Sequence, residues 1–272
     1  EATAPVMVDM LLIGGNNLSA FAGAGDVGLE LSGVGLGIAL MTEQGVPAAQ
    51  ARSWTSAEAT IDAASIDGID GLTIAVNTLA LQVNREAADG SVVDFSLTEI
   101  TTDEATERNT NLVIATGPES SLTLGMDGAD GEMTRLTGNL ELNLFGFVTV
   151  EGEFGIESKQ GAVKLAGVED DPLTTTVNEA TAPVMVDMLL IGGNNLSAFA
   201  GSEEIGLNLS GVGLGIALMT EQVQAPAEGE PAVTARSWTS AQATIEAASF
   251  GGIEGLTIAV DTLDLQVNRQ AT

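Results

Sequence analysis

The residues of this chain that could do chemistry are almost all carboxylates. Asp and Glu number 38 among 272 residues, whereas His and Cys are absent. The usual general base and the thiol nucleophile are therefore missing, and Cys-ligated zinc is excluded. Paired carboxylates can perform glycosidase-type acid–base chemistry, but so acidic a chain forms close carboxylate pairs by chance. We therefore predict that the chain is not an enzyme.

Two short acidic segments are the best candidates for a metal site. The first reads DGADGE and carries Asp127, Asp130 and Glu132, and the second carries Asp170 and Asp171. Carboxylate oxygens are the ligands that Ca²⁺ prefers, so calcium is the one cofactor that the sequence suggests, with these five residues as its predicted ligands. Neither segment has the spacing of an EF-hand loop. An acidic turn without a metal is the alternative.

The net charge limits the partners of the chain. Lys and Arg number only 8, which leaves a formal net charge of −30. Such a chain repels nucleic acid and anionic membrane surfaces, so we expect no nucleic-acid partner. The sequence also has no run of about 18 apolar residues, the length that a membrane-spanning helix requires. Dispersed acidic residues are expected to keep a β-rich protein soluble.

The hexapeptide ARSWTS occurs twice and carries both tryptophans, Trp54 and Trp238. Arg52 and Arg236 accompany them, although basic residues are scarce. An exposed Trp could contact a carbohydrate or a protein partner. A buried Trp would instead be a structural anchor, with the Arg bridging nearby carboxylates. We favour the structural anchor.

The chain contains a long internal repeat. Residues 1–23 return unchanged at 179–201, and long stretches beyond them return with few changes. Residues 1–178 therefore form a first complete unit, and residues 179–272 form a truncated second copy. Charged residues change between the copies, as from Glu58 to Gln242, whereas most apolar positions are retained. We predict that the retained positions share one buried face and that the changing positions face solvent.

A shorter pattern recurs within each unit. In residues 27–40, 72–83 and 140–150, apolar residues occupy every second position, except at one place where two successive apolar residues lie three positions apart. Alternation predicts β-strands with two different faces. This three-residue step fits a two-residue hairpin turn, for which Ser32-Gly33 is best suited. It also fits a β-bulge within one longer strand, and the sequence leaves both interpretations open.

Turn-forming residues separate further short strands. GGNN at 14–17 predicts a turn, residues 101–109 predict a polar loop, and no segment predicts a convincing amphipathic helix. The predicted fold is all-β: an elongated tandem-repeat β-solenoid or a superhelically wound β-sheet with little or no helix. Each copy would then cover the open sheet edge of its neighbour. A separate globular sandwich for each copy is the alternative.

Three phrases carry a resemblance to a known group of proteins. They are GLELSGVGLGIALMTEQ, ARSWTSAEATIDAASIDGIDGLTIAV and LTGNLELNLFGFVTVEGEFGIESK. The chain resembles the tandem repeats of giant bacterial secreted or surface exoproteins, some of which have calcium-binding or adhesin-like regions elsewhere. The resemblance covers the whole chain and includes no catalytic motif. It implies a bacterial extracellular or cell-surface location and a structural role.

These observations together predict a structural segment. We expect a rod, stalk or filament whose main partners are copies of itself. The alternative is a calcium-dependent adhesin or a glycan-binding repeat module that contacts surface glycans. Because the chain begins with Glu1 and carries no signal peptide, we expect it to be a piece of a longer protein.

Overall fold

The fold of the chain is all-β, as the sequence predicts. A computed structural model describes residues 6–25, 27–96, 99–102, 105–108, 112–165, 183–202, 205–223, 234–256 and 258–271. Within these residues the only helical element is the 3₁₀ turn Gly128–Asp130. The strands are β1 (Val8–Ala24), β2 (Val27–Glu43), β3 (Ser53–Asp67), β4 (Leu72–Arg85), β5 (Glu99–Thr102), β6 (Ala105–Arg108), β7 (Leu112–Ala115), β8 (Ser121–Leu124), β9 (Met133–Leu144), β10 (Val148–Val163), β11 (Val184–Ser202), β12 (Ile205–Glu221), β13 (Ser237–Gly251) and β14 (Ile258–Ala271).

Ten of these strands form one antiparallel sheet that contains both copies of the repeat. The strand order is β1-β2-β3-β4-β9-β10-β11-β12-β13-β14, while β5-β6 and β7-β8 are separate two-stranded sheets. The last strand of the first copy, β10, pairs with the first strand of the second copy, β11, from Val148↔Ala200 to Val163↔Val184. The described residues therefore form one continuous sheet across the repeat junction rather than one sandwich for each copy.

A row of residues with positive φ crosses this sheet, and we call it the bulge row. It consists of Asn17, Gly33, Thr78, Gly152, Asn195, Gly211 and Thr262. One extra residue shifts the alternation of a strand by one position. In β2, the apolar residues Leu31 and Val34 therefore share a face although they lie three residues apart. In a strand such as β2, the bulge thus keeps apolar side chains before and after the three-residue step on one side of the sheet.

The two interpretations of the three-residue step are each correct at different places. Ser32-Gly33 and Asn77-Thr78 lie inside β2 and β4, so both are bulges. Phe145-Gly146 is the hairpin turn between β9 and β10, with φ values of 55° and 70°. The pair that best suits a hairpin is therefore a bulge, because the positive φ of Gly33 serves a bulge as well as a turn.

Two other sequence predictions are wrong. GGNN at 14–17 lies inside β1, where Asn17 supplies a positive φ of 52° to the bulge row. The described residues of segment 101–109 belong to the short strands β5 and β6 rather than to a loop. Ile100 and the Thr residues of these strands favour extended backbone.

The sheet has an apolar face and a polar face. One row of paired residues across the apolar face is Leu36, Ala59, Leu81, Leu136, Ile156, Ile191, Ile216, Ala241 and Val267. The adjacent row on the polar face is Gly37, Glu58, Gln82, Arg135, Glu157, Leu190, Ala217, Ser240 and Asn268. Many retained apolar residues of the two copies thus share one face, whereas others, such as Leu190 and Ala217, lie on the polar face.

The apolar face is not a buried core among the described residues. Leu263 is 50% exposed and Leu265 is 57% exposed. Among the described strands, β7 and β8 make the main contacts to the long strands from outside the sheet, and they lie on the polar face. The prediction of a buried face is wrong for these residues, because this cover lies on the other face of the sheet.

The buried core lies on the polar face of the first copy. Residues 86–96 and 112–132, which we call the plug, cover the polar face of β1–β4. Small and apolar side chains of the sheet meet apolar side chains of the plug there. The core residues are Ala39, Met41 and Trp54 from the sheet and Ala87, Phe95, Leu112, Ile114, Leu124 and Met126 from the plug.

Candidate functional site

The acidic turn predicted to bind calcium lies within the plug. Asp127 Oδ1 accepts a hydrogen bond from the backbone N–H of Ala129 at 2.8 Å, which caps the 3₁₀ turn. Asp130 lies 3.3 Å from an Arg135 nitrogen, and Glu132 lies 2.9 Å from an Arg85 nitrogen. The three carboxylates thus have three different partners.

Within the described residues, no group of three or more metal-ligating side chains converges. The structure therefore does not gather Asp127, Asp130 and Glu132 around one point. The other two predicted ligands, Asp170 and Asp171, lie outside the described residues. Calcium binding stays a prediction.

The Arg and Trp of ARSWTS form the same unit in both copies. Two nitrogens of Arg52 each donate to a different oxygen of Glu43 at 2.8 Å, and the guanidinium lies 5.1 Å from the centroid of the Trp54 ring. These hydrogen bonds hold the pKa of Glu43 below its usual value. In the second copy, Arg236 donates to Glu221 at 2.7 and 2.6 Å. Such bidentate pairs fix the geometry of the strand ends.

Trp54 is an anchor in the first copy, as predicted. The residue is only 6% exposed. Its Nε1–H donates to the backbone oxygen of Ser91 in the plug at 3.0 Å. Arg52 adds an ion pair to Asp89 of the plug at 3.1 Å. The ARSWTS unit therefore holds the plug against the sheet.

We call the polar face of β1–β4 the first trough, and two polar residues at its base join the sheet to the plug. Ser56 and Asn84 are both fully buried. Ser56 Oγ donates to Asn84 Oδ1 at 2.9 Å, and Asn84 Nδ2 donates to the backbone oxygen of Val93 at 2.8 Å. Because buried polar atoms cost free energy when unpaired, this chain of hydrogen bonds fixes the position of the plug.

Glycine makes room for the plug in the first trough. A Cβ placed on Gly37 would lie 3.1 Å from a methyl carbon of Leu122 and 3.2 Å from one of Ile114. A Cβ on Gly14 would collide with the backbone oxygen of Ala115. The alternating glycines of GVGLGIAL therefore mark a strand that another segment approaches closely.

The equivalent face of β11–β14, which we call the second trough, is open among the residues that the structure describes. It contributes to a cavity of about 870 Å³ lined by residues of β9–β14. Ser240 Oγ donates to Asn268 Oδ1 at 3.0 Å, as in the first copy. A Cβ on Gly215, the counterpart of Gly37, would have no described atom within 4 Å. Sequence reasoning missed this cavity, although the repeated alternation of Gly was a signal for it.

One residue of the first trough differs chemically in the second. Burial raises the pKa of Glu58, and a hydrogen bond with Gln82 offsets part of that rise. Glu58 Oε2 is buried without a hydrogen-bond partner among the described residues. In the second copy this position holds the neutral isostere Gln242.

Comparison with known proteins gives no match: no family model, curated protein or solved structure is similar to the chain. In the part of the chain that the structure describes, no helix is long and apolar enough to cross a membrane.

Proposed function

We propose that the chain is a structural segment of a giant repetitive extracellular protein of bacteria. Successive copies would lengthen one sheet into a rod, stalk or filament. The observation that carries the proposal is the pairing of β10 with β11, which joins the copies through a full-length strand pair. A flexible tether between copies would leave these two strand edges unpaired.

The hairpin β9–β10 supplies the mechanism of extension. It lies between strands β1–β4 and strands β11–β14. Edge strand β14 is the counterpart of β4, which pairs with β9. Edge strand β1 is the counterpart of β11, which pairs with β10. Both edge strands therefore have the sequence pattern of strands that pair with the hairpin. Adding further copies would extend the sheet in both directions.

The finer shape that we propose is a superhelically wound sheet. Neighbouring strands in a sheet rotate by roughly 20–25° on average, so a sheet that adds strands in one direction also winds. The cavity that six strands line together supports such curvature. The bulge row adds local twist at the same place in successive strands.

The apolar face is the surface by which we expect rods to associate. Exposed large apolar residues are spread over both copies, among them Leu11, Leu40, Leu189 and Leu218. Contiguous apolar surface of this kind marks an interaction site. Copies of the chain are the proposed partner, since a second sheet of the same kind offers a matching face. The net charge of −30 keeps such rods soluble before they associate.

The test is a length series. Chains with one, two and three complete copies of residues 1–178 would be compared by small-angle scattering and negative-stain electron microscopy. We expect a constant cross-section and a length that grows by the same increment with each copy. Compact lobes with variable spacing between them would contradict the proposal.

A further inference from the structure

The two troughs have matching surfaces but different cover. Gly37, Trp54, Ser56 and Asn84 of the first trough return as Gly215, Trp238, Ser240 and Asn268 of the second. The plug covers the first set, whereas the second set borders open space among the described residues. The first trough thus identifies what chemistry fits the second.

The polar part of the second trough is already in position. The hydrogen bond from Ser240 to Asn268 is 3.0 Å long, against 2.9 Å for the bond from Ser56 to Asn84. In the first copy, Asn84 Nδ2 and Trp54 Nε1 then donate to backbone oxygens of the plug. Among the described residues, Asn268 Nδ2 and Trp238 Nε1 have no acceptor. These two donors of the second trough can therefore bind backbone oxygens placed as those of the plug are placed in the first trough.

The apolar part of the second trough also has the space that the plug requires. Leu122 and Ile114 occupy the space above Gly37 in the first copy. No described atom occupies the space above Gly215, which lies within a cavity of about 870 Å³. The difference from Glu58 to Gln242 replaces a buried carboxyl by a neutral amide, which lowers the cost of covering the trough.

We propose that the second trough is a binding site for a polypeptide with the sequence of residues 86–132, which contain the plug. This segment would bind as the plug binds the first trough, with apolar side chains above Gly215 and backbone oxygens on Trp238 and Asn268. The inference goes beyond the proposed structural role and does not depend on whether copies extend as a rod.

The experiment uses the two tryptophans as reporters. A synthetic polypeptide of residues 86–132 is added to the full chain, and the two indole N–H resonances are followed by NMR. We expect the Trp238 resonance to move towards that of Trp54, because Trp238 Nε1–H gains a backbone acceptor. The Trp54 resonance stays in place. In a second arm, residues 89–132 are joined after Thr272, which aligns with Ala88 in the repeat.

A matched pair of variants locates the binding. Gly215 lacks a positive φ and has open space around it, so Gly215→Leu is expected to fold normally. Its side chain fills the position that Leu122 and Ile114 of the plug need, so the affinity falls by about tenfold or more. Thr239→Leu adds similar bulk to the opposite face of β13 and leaves binding unchanged.

Each possible result either supports or overturns the proposed binding site. Movement of the Trp238 resonance in either arm, abolished by Gly215→Leu, supports the proposal. A Trp238 resonance that stays in place in both arms overturns it. Movement that persists in Gly215→Leu overturns it as well, because the polypeptide then binds elsewhere. Rods observed without binding at the second trough would leave the proposed function intact while removing this inference.

Discussion

At the scale of single residues, the two copies provide a natural comparison. Glu58 and Gln242 occupy equivalent positions on the polar face, one beneath the plug and one in an open trough. The carboxyl oxygen Oε2 of Glu58 is buried without a partner. The second copy shows that the sheet forms with a neutral side chain at this position. The charge of Glu58 therefore adds no stability that the fold requires.

We predict that Glu58→Gln stabilises the chain at pH 7. The expected gain is a few tenths to about 1 kcal/mol, because the site is only half buried and solvent screens part of the penalty. The matched control is Gln242→Glu, which adds a carboxyl in the open trough and changes stability less. Chemical denaturation of the unsubstituted chain, the two single variants and the double variant measures both changes in stability. Changes of equal size at the two sites would contradict the role of burial by the plug.

Glu58 also makes the free energy of unfolding depend on pH in a predictable direction. The pKa of Glu58 is raised above the ordinary carboxyl value of 4.5, so the folded chain binds this proton more tightly than the unfolded chain. The contribution of Glu58 to stability therefore increases as pH falls through the raised pKa, and becomes constant below the ordinary value. The advantage of Glu58→Gln should shrink over that range. A constant advantage from pH 7 to pH 4 would contradict this assignment.

The acidic turn leads to a prediction about calcium removal. Arg135 already pairs with Asp130, and Arg85 already pairs with Glu132. We expect a chelator to leave the thermal unfolding midpoint unchanged, because Asp130 and Glu132 each already have an arginine partner. Differential scanning calorimetry with chelator, and again after adding excess Ca²⁺, provides the measurement. A fall that Ca²⁺ reverses would instead support the calcium-dependent adhesin.

At the scale of strands, the sequence predicted the type of element but not its limits. Alternation in residues 27–40 and 72–83 identified strands, because side chains alternate in any strand regardless of its neighbours. It did not reveal that GGNN at 14–17 continues a strand, since a positive φ at Asn17 serves turns and bulges alike. Nor did it reveal the troughs, because several contacts between the plug and the sheet, such as that between Trp54 and Ser91, join residues distant in sequence.

The bulge row leads to a prediction about two threonines. Thr78 and Thr262 have φ values of 54° and 60°, a region that a β-branched residue enters at a cost of roughly 1–2 kcal/mol. We expect Thr262→Gly to stabilise the chain by about 0.5–1 kcal/mol, after the entropy cost of Gly is subtracted. Thr78→Gly should gain less, because Asn139 Nδ2 donates to Thr78 Oγ1 at 2.8 Å and that bond is lost. Urea denaturation of both variants makes the comparison.

The control for this prediction is Thr244→Gly, a substitution within β13 outside the bulge row. There Gly has no strain to relieve, and its flexibility should destabilise the strand. Stabilisation confined to the two positive-φ positions supports the bulge row as a conserved feature of both copies. Destabilisation by Thr262→Gly would show that the threonine is not strained.

At the scale of the whole molecule, one sheet across the junction means that the copies stabilise one another. Strand β11 has β10 on one side and β12 on the other, whereas its counterpart β1 has only β2. Residues 8–23 of β1 and 186–201 of β11 are identical in sequence, and their surroundings differ at β10 and at the plug, which contacts β1 through β7. The same substitution can therefore be made in both strands, and the difference in its effect on stability measures the contribution of the surroundings.

We predict that proline is tolerated worse in β11 than in β1. Neighbouring residues of a strand donate N–H groups to opposite sides, so Leu189→Pro and Leu190→Pro together sample both partners of β11. Leu11→Pro and Leu12→Pro are the matched pair in β1. The β11 pair should cost about 1–3 kcal/mol more in total, since one member removes a hydrogen bond to β10. Equal losses in the two strands would mean that β10 contributes nothing to β11, and the continuous sheet could not carry a rod.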